Sequence, residues 1–212
     1  WSRGDWQLLP IMWRASHYGI DALGLWKMAD NLRRSLVVPA AFGLLVWVLF
    51  TGALPLATAL EVTFAALLAG PLLGALAGLV PTRGGIAWRH FFHVGQSELQ
   101  RAFGAAIWQF SQLAEQATML LDAAVRSIWR MAVSRRHLLE WTTAAQAQAG
   151  SRNELGAFVR QQAPASLFCA ALAVAALWSP YPVAGASLLL LWAASPLAAS
   201  LGLVAVATGF GA

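Results

Sequence analysis

Charge is missing from two long stretches of this chain. No Lys, Arg, Asp or Glu occurs between Gln161 and Ala212, and Ser35 to Pro81 holds only Glu61. An ionised side chain near the centre of a bilayer costs on the order of 3 kcal/mol, so gaps of this length mark segments built for lipid. Cysteine is nearly absent as well. The single Cys169 sits in an apolar run, which excludes a disulfide framework and a cysteine zinc cluster and leaves a small buried hydrophobe. The sequence has no Gly-rich phosphate loop, no Gly-x-Ser-x-Gly elbow and no dinucleotide fingerprint. A signal peptide is also lacking: the chain opens on Trp1 without methionine, charged leader or cleavage site. A chain that opens on Trp reads as a piece of a longer protein, with chemistry expected before Trp1.

What is present is apolar and basic. Of 212 residues, 59% are hydrophobic and 11% charged, with a net charge of +5. The mean hydropathy is +0.62 and the isoelectric point about 10.7. Basic excess in so apolar a chain points to cytoplasmic loops facing anionic lipid, not to nucleic acid. The expected fold is an all-α membrane protein with about four transmembrane helices, arranged as two hairpins joined by a long cytoplasmic amphipathic helical region.

The charge gaps and turn residues set the boundaries. Residues 1–35 form a cytoplasmic lead-in, 36–80 the first hairpin, 81–162 the helical region and 163–212 the second hairpin. Helices are expected near 36–54, 60–80, 164–179 and 183–203, roughly the length a bilayer core requires. Thr51-Gly52 with Pro55, and Ser179-Pro180-Tyr181-Pro182, supply the turns. Pro196 is a candidate kink. Gly70, Gly74 and Gly78 recur on one face, a spacing that suits close helix packing or, alternatively, a glycine-lined sugar path.

Orientation follows from the basic residues. Residues 1–35 hold five Lys/Arg and residues 81–160 hold nine, while the hairpin turns hold none. Positive-inside then places both basic segments in the cytoplasm of a bacterial inner membrane.

Between the hairpins, Phe103, Ile107, Phe110, Ala114, Ala117, Leu121, Ala124, Ile128 and Met131 recur at steps of three and four. That stripe predicts one long amphipathic helix over 103–133, outside the hydrocarbon core, its apolar face on lipid headgroups or a neighbouring domain and Gln109, Gln112 and Gln116 turned away; a fifth span is the alternative, against which Glu115 and Asp122 argue. Asp122 can pair with Arg126. Glu61 is expected at the outer interface, and Gln161 and Gln162 in the headgroup layer. His90 and His93 stand at i,i+3 without a third metal-ligand pattern, so they read as structural. No metal ligand and no catalytic residue is assigned within this chain.

The opening Trp1-Ser2-Arg3-Gly4-Asp5-Trp6-Gln7 joins two tryptophans, opposite charges and an amide. Aromatic faces against sugar C–H groups, with Arg3, Asp5 and Gln7 for hydroxyls, are carbohydrate-contact chemistry; an interfacial tryptophan belt gives the same composition.

Three blocks resemble one family. Trp1 to Pro10, Trp26 to Leu36 and Ser134 to Ala147 look like successive parts of the cyclic β-1,2-glucan synthases (glycosyltransferase family 84), and the resemblance runs over about residues 1–195 in the same order. In such enzymes a Gln-x-x-Arg-Trp motif closes the transferase site, and Trp1 resembles its final Trp. The resemblance implies a large inner-membrane enzyme that polymerises glucose from UDP-glucose, cyclises the β-1,2-glucan and delivers it to the periplasm. Its nucleotide-sugar domain, with a divalent metal and catalytic base, would precede Trp1, and a phosphorylase-like domain would follow. From about Ser200 the sequence departs from the family pattern.

On that footing the expected substrate-binding residues are Trp1, Arg3, Asp5, Trp6 and Gln7. The expected interdomain contacts are Arg135, Arg136, Glu140 and Trp141. The partners are membrane lipid, the glucan acceptor and the two flanking domains, with no nucleic acid. The chain alone is expected to lack transferase activity. The alternative class is a small non-enzymatic transporter subunit or scaffold, for which matched interrupted helices would be expected.

Overall fold

The computed structural model describes residues 2–78, 88–135, 155–197 and 199–200, and every described element is helical. Two short helices, α1 (Ser2–Gln7) and α2 (Leu9–Trp13), lead into α3 (Ala22–Thr51) and α4 (Leu56–Gly78). Then come α5 (Trp88–Ser111), α6 (Leu113–Trp129) and a single π-helical turn, Arg130–Ser134. The last two are α7 (Leu155–Ala176) and α8 (Pro182–Ala193).

Among the described residues, α3 and α4 are the helices long and apolar enough to cross a membrane; α7 and α8 contain shorter apolar stretches. α3 begins well before the expected Leu36. Asp21 caps it, accepting from Gly24 N–H at 2.7 Å, and once nucleated the helix has no reason to stop at the edge of the apolar run. The boundary drawn at residue 35 therefore falls inside one continuous helix. On its polar first half, Asp30 holds both Arg33 and Arg34 at 2.8 Å. Gly52, at φ +63°, ends α3 in the left-handed conformation that glycine adopts without strain, with its N–H on Val48 O.

The fourth expected helix, 183–203, is interrupted where Pro196 was a candidate kink. α8 runs to Ala193, and Ala194 leaves helical geometry two residues before Pro196, which cannot donate to Trp192 O and crowds that carbonyl; residues 195–197 and 199–200 are helical again.

The stretch expected as one helix over 103–133 is broken. Ser111 Oγ donates to Trp108 O, and Gln112 N–H is shared between Trp108 O and Gln109 O, both at 3.2 Å. Competition for one carbonyl bends the chain there. Gln112 is buried rather than turned away, and its side-chain amide donates to Ser195 O at 3.3 Å. Trp192 Nε1 donates to Phe110 O at 2.9 Å, so the bend is held from α8 and the residues just after it. The stripe divides: Phe103, Ile107, Leu121 and Ile128 are exposed, whereas Phe110, Ala114, Ala117 and Ala124 are buried together with Ala106 and Leu113, which lie outside it.

α5 packs along α4, and α6 along α3, so this region does not stand apart from the hairpins. The core runs through α3 (Leu45, Val48, Leu49), the α5–α6 bend and α7–α8 (Cys169, Ala176, Leu189, Trp192). Phe64 stacks on Phe110 at 4.7 Å, and Trp192 meets Phe42 and Phe110 edge-on at 5.3 and 5.8 Å. The hairpin turns meet at one end of the bundle: Tyr181 OH donates to Leu54 O at 3.0 Å, and Pro180 lies over Gly52.

Glycine packing is placed elsewhere than expected. A methyl on Gly70 or Gly74 would touch nothing within 4 Å, while one on Gly185 would meet Ala176 and Leu49, each at 3.3 Å. Gly185 is where α8 comes close to α7 and α3. Glu61 is exposed, one turn into α4.

Candidate functional site: the amino-terminal helix docked on α6

α1 holds most of the expected substrate-binding residues. In water a helix of six residues does not persist alone, because nucleation fixes several residues for one hydrogen bond. α1 persists by packing against α6 and α3. Two polar contacts fix it. Ser127 Oγ donates to Arg3 O at 3.3 Å, and the Arg3 guanidinium stands 3.9 Å from Asp122, which also takes Arg126 from its own helix.

Arg3 is exposed, and Asp5, Trp6 and Gln7 are half-buried at the junction. Trp6 Nε1 is buried with no hydrogen-bond partner, a state that stabilises nothing and leaves one donor available. Trp1 lies outside the described residues. The structure thus brings Arg3, Asp5, Trp6 and Gln7 together on one small helix and adds Asp122 and Ser127 as its anchor. Nearby, Trp13 and Trp26 are exposed, and His17 and Tyr18 meet edge-to-face at 5.4 Å.

Of the expected interdomain residues, Arg135 is described and Arg136, Glu140 and Trp141 lie outside the described residues. Arg135 is exposed and left-handed at φ +48°, its N–H closing the π turn on Arg130 O at 2.8 Å. The turn therefore redirects the chain where the expected docking motif begins. Among the described residues no three His, Cys, Asp or Glu side chains gather.

A second polar locus lies at the opposite end of α6. Glu115, in its first turn, and Gln162 of α7 line one cavity there. Gln162, expected among headgroups, is buried, and its Oε1 has no partner.

No family model matches the chain. Over 204 residues, 94% of its length, it is 38% identical to the cyclic beta-(1,2)-glucan synthase NdvB of Rhizobium meliloti (strain 1021). By sequence the chain belongs to the cyclic β-(1,2)-glucan synthase family. It spans 7% of the length of that relative.

Knowing the family does not by itself single out the α1 anchors or the buried amide. Asp122 was legible only as a partner of Arg126, and Ser127 carried no signal. Glu115 and Gln162 stand forty-seven positions apart, on helices that only the packing brings together.

Proposed function

We propose that this chain is the membrane-associated segment of a cyclic β-1,2-glucan synthase that elongates glucan from UDP-glucose, with α1 forming the acceptor-side rim of the transferase site. The carrying observation is the 38% identity spread over 94% of the chain. The geometry of α1 supports the assignment of the rim. A six-residue helix with a half-buried tryptophan, a free indole donor and three polar side chains is anchored through Arg3 and Ser127 to a longer helix. Stacking of sugar C–H faces on indole tolerates sliding, which suits a chain growing unit by unit. The nucleotide sugar, divalent metal and catalytic base belong to a domain expected before Trp1.

The hairpins form the membrane-embedded part, their joined turns toward the periplasm and both basic segments toward the cytoplasm. Exposure favours this reading. Large apolar side chains face outward on α4, α5, α6 and α7, among them Leu73, Ile107, Trp129 and Leu167, while many alanines are buried between the helices. Phe42, Phe64 and Trp192 stand nine, eight and ten residues from Thr51, Leu56 and Pro182. At 1.5 Å per residue the ring cluster is ~12–15 Å from the turns, near the middle of a ~30 Å hydrocarbon core. The α5–α6 bend then reaches into the membrane from the cytoplasmic side, which revises the wholly cytoplasmic placement of 81–162.

The test uses a full-length synthase carrying this segment, in membranes supplied with UDP-glucose. Trp1→Ala should cut glucan elongation by up to ~100-fold, as misplacing an acceptor does, and leave UDP-glucose binding unchanged. Normal elongation, or a proportional loss of nucleotide binding, would show the rim assignment to be wrong.

A further inference from the structure

The Glu115–Gln162 pair opens onto a cavity of about 160 Å³ between α6 and α7, lined also by Thr118, Met119, Pro164 and Ala165. Its polar atoms are unusual in what they lack. Gln162 is 5% exposed, and its Oε1 is buried without a partner, as is Ser166 Oγ one turn further along α7. The Gln162 carbonyl oxygen is therefore left to be satisfied by something else. Thr118 Oγ1 spends its proton on Glu115 O at 2.8 Å, so its remaining capacity is as an acceptor. Glu115 forms no ion pair among the described residues. The lining therefore offers a carboxylate, an amide oxygen and hydroxyl lone pairs, and it calls for a ligand rich in donors.

Size and walls narrow the ligand further. A cavity of about 150 Å³ holds one six-membered ring such as benzene. Met119, Pro164 and Ala165 provide apolar surface beside the acceptors. Apolar walls against C–H groups with carboxylate and amide oxygens for hydroxyls are the requirements of a neutral pyranose.

We propose that the cavity between α6 and α7 binds one glucopyranose unit, with Glu115 and Gln162 accepting its hydroxyl protons. The site extends the α1 reading and rests on it. Glu115 and Asp122 are seven residues apart, two helical turns, so they share one stripe of α6 about 10 Å from end to end. α1 anchors at the Asp122 end and α7 closes the Glu115 end. A glucan leaving the rim at α1 meets the cavity one or two sugars further on.

The experiment uses the chain in lipid nanodiscs and calorimetric titration with sophorose, the β-1,2-linked glucose disaccharide, with choline as the competing cation. Sophorose should bind, and Glu115→Gln and Gln162→Leu should each weaken it about tenfold or more, the expected effect of losing a hydrogen bond to a charged or buried group. Met119→Trp, which enlarges a half-exposed wall residue without disturbing the core, should abolish binding. Trp178→Phe, exposed in the turn after α7, should leave it unchanged, and all variants should keep the wild-type melting curve. Wild-type affinity in the three cavity variants, or displacement of sophorose by choline, overturns the proposal. If Trp6→Ala loses sophorose while the cavity variants keep it, the cavity inference fails and the α1 rim stands. If the chain binds no sophorose at all, the cavity inference fails, and the elongation assay decides the rim separately.

Discussion

Trp192 tests whether the bend between α5 and α6 is held from α8. Its side chain is 1% exposed, its indole N–H donates to Phe110 O at 2.9 Å, and its ring meets Phe42 and Phe110. The three contributions are separable. Replacing Trp192 with β-(3-benzothienyl)alanine keeps the bicyclic shape and removes only the N–H. Interhelical hydrogen bonds in membrane proteins average ~0.6 kcal/mol and reach ~1–2 kcal/mol, so a loss of about 1 kcal/mol is expected. Trp192→Phe removes the N–H and part of the ring, leaving a void and an unpaired carbonyl at the bend, for a loss of ~2–3 kcal/mol. Trp192→Ala also loses both ring contacts, each worth ~0.5–1.5 kcal/mol, and should cost ~3–5 kcal/mol in all.

The measurement is SDS-titration unfolding of the chain in mixed micelles, followed by circular dichroism, with Trp178→Phe at an 81% exposed position as the reference. Hydrogen exchange at residues 108–116 supplies a local readout, since loss of the Trp192 contact should raise exchange there first. The reasoning is refuted if Trp192→Phe costs no more than Trp178→Phe. It is equally refuted if the benzothienyl variant loses nothing while exchange at the bend stays as in the wild type.

Two further expectations concern the helices themselves. Gly74→Ala should be neutral or stabilise the chain by up to ~1 kcal/mol through helix propensity, because a methyl there meets nothing, whereas Gly185→Val should destabilise it by ~1–3 kcal/mol by overpacking against Ala176 and Leu49; thermal unfolding of the two variants checks this, and equal losses would contradict the packing described. For topology, single cysteines in a Cys169→Ala background at Ala53 and Val183 should label with a membrane-impermeant maleimide from the periplasm while one at Arg135 should not, and labelling at Arg135 would reverse the orientation.

Helical class and the hairpin turns were legible in the chain's own sequence. Two nearly uncharged stretches and two Pro/Gly turns mark apolar helices paired as hairpins, because apolar composition and turn chemistry are local properties that need no tertiary contact. The resemblance of Trp1 to Pro10 and of Ser134 to Ala147 pointed to the family for the same reason: identity is written along the chain. What the chain does between the hairpins was decided by packing. A three-and-four periodicity assumes one unbroken helix with one buried face; with the helix broken at Gln112 the stripe divides, Phe110, Ala114, Ala117 and Ala124 turning in and Phe103, Ile107, Leu121 and Ile128 turning out. The break at Gln112 depends on a carbonyl shared with Ser111 and on donors from Trp192, some eighty residues away. That Glu115 and Gln162 line one cavity depends on α6 meeting α7. Such contacts have no signature at either position alone, since each residue is ordinary until the fold sets the other beside it.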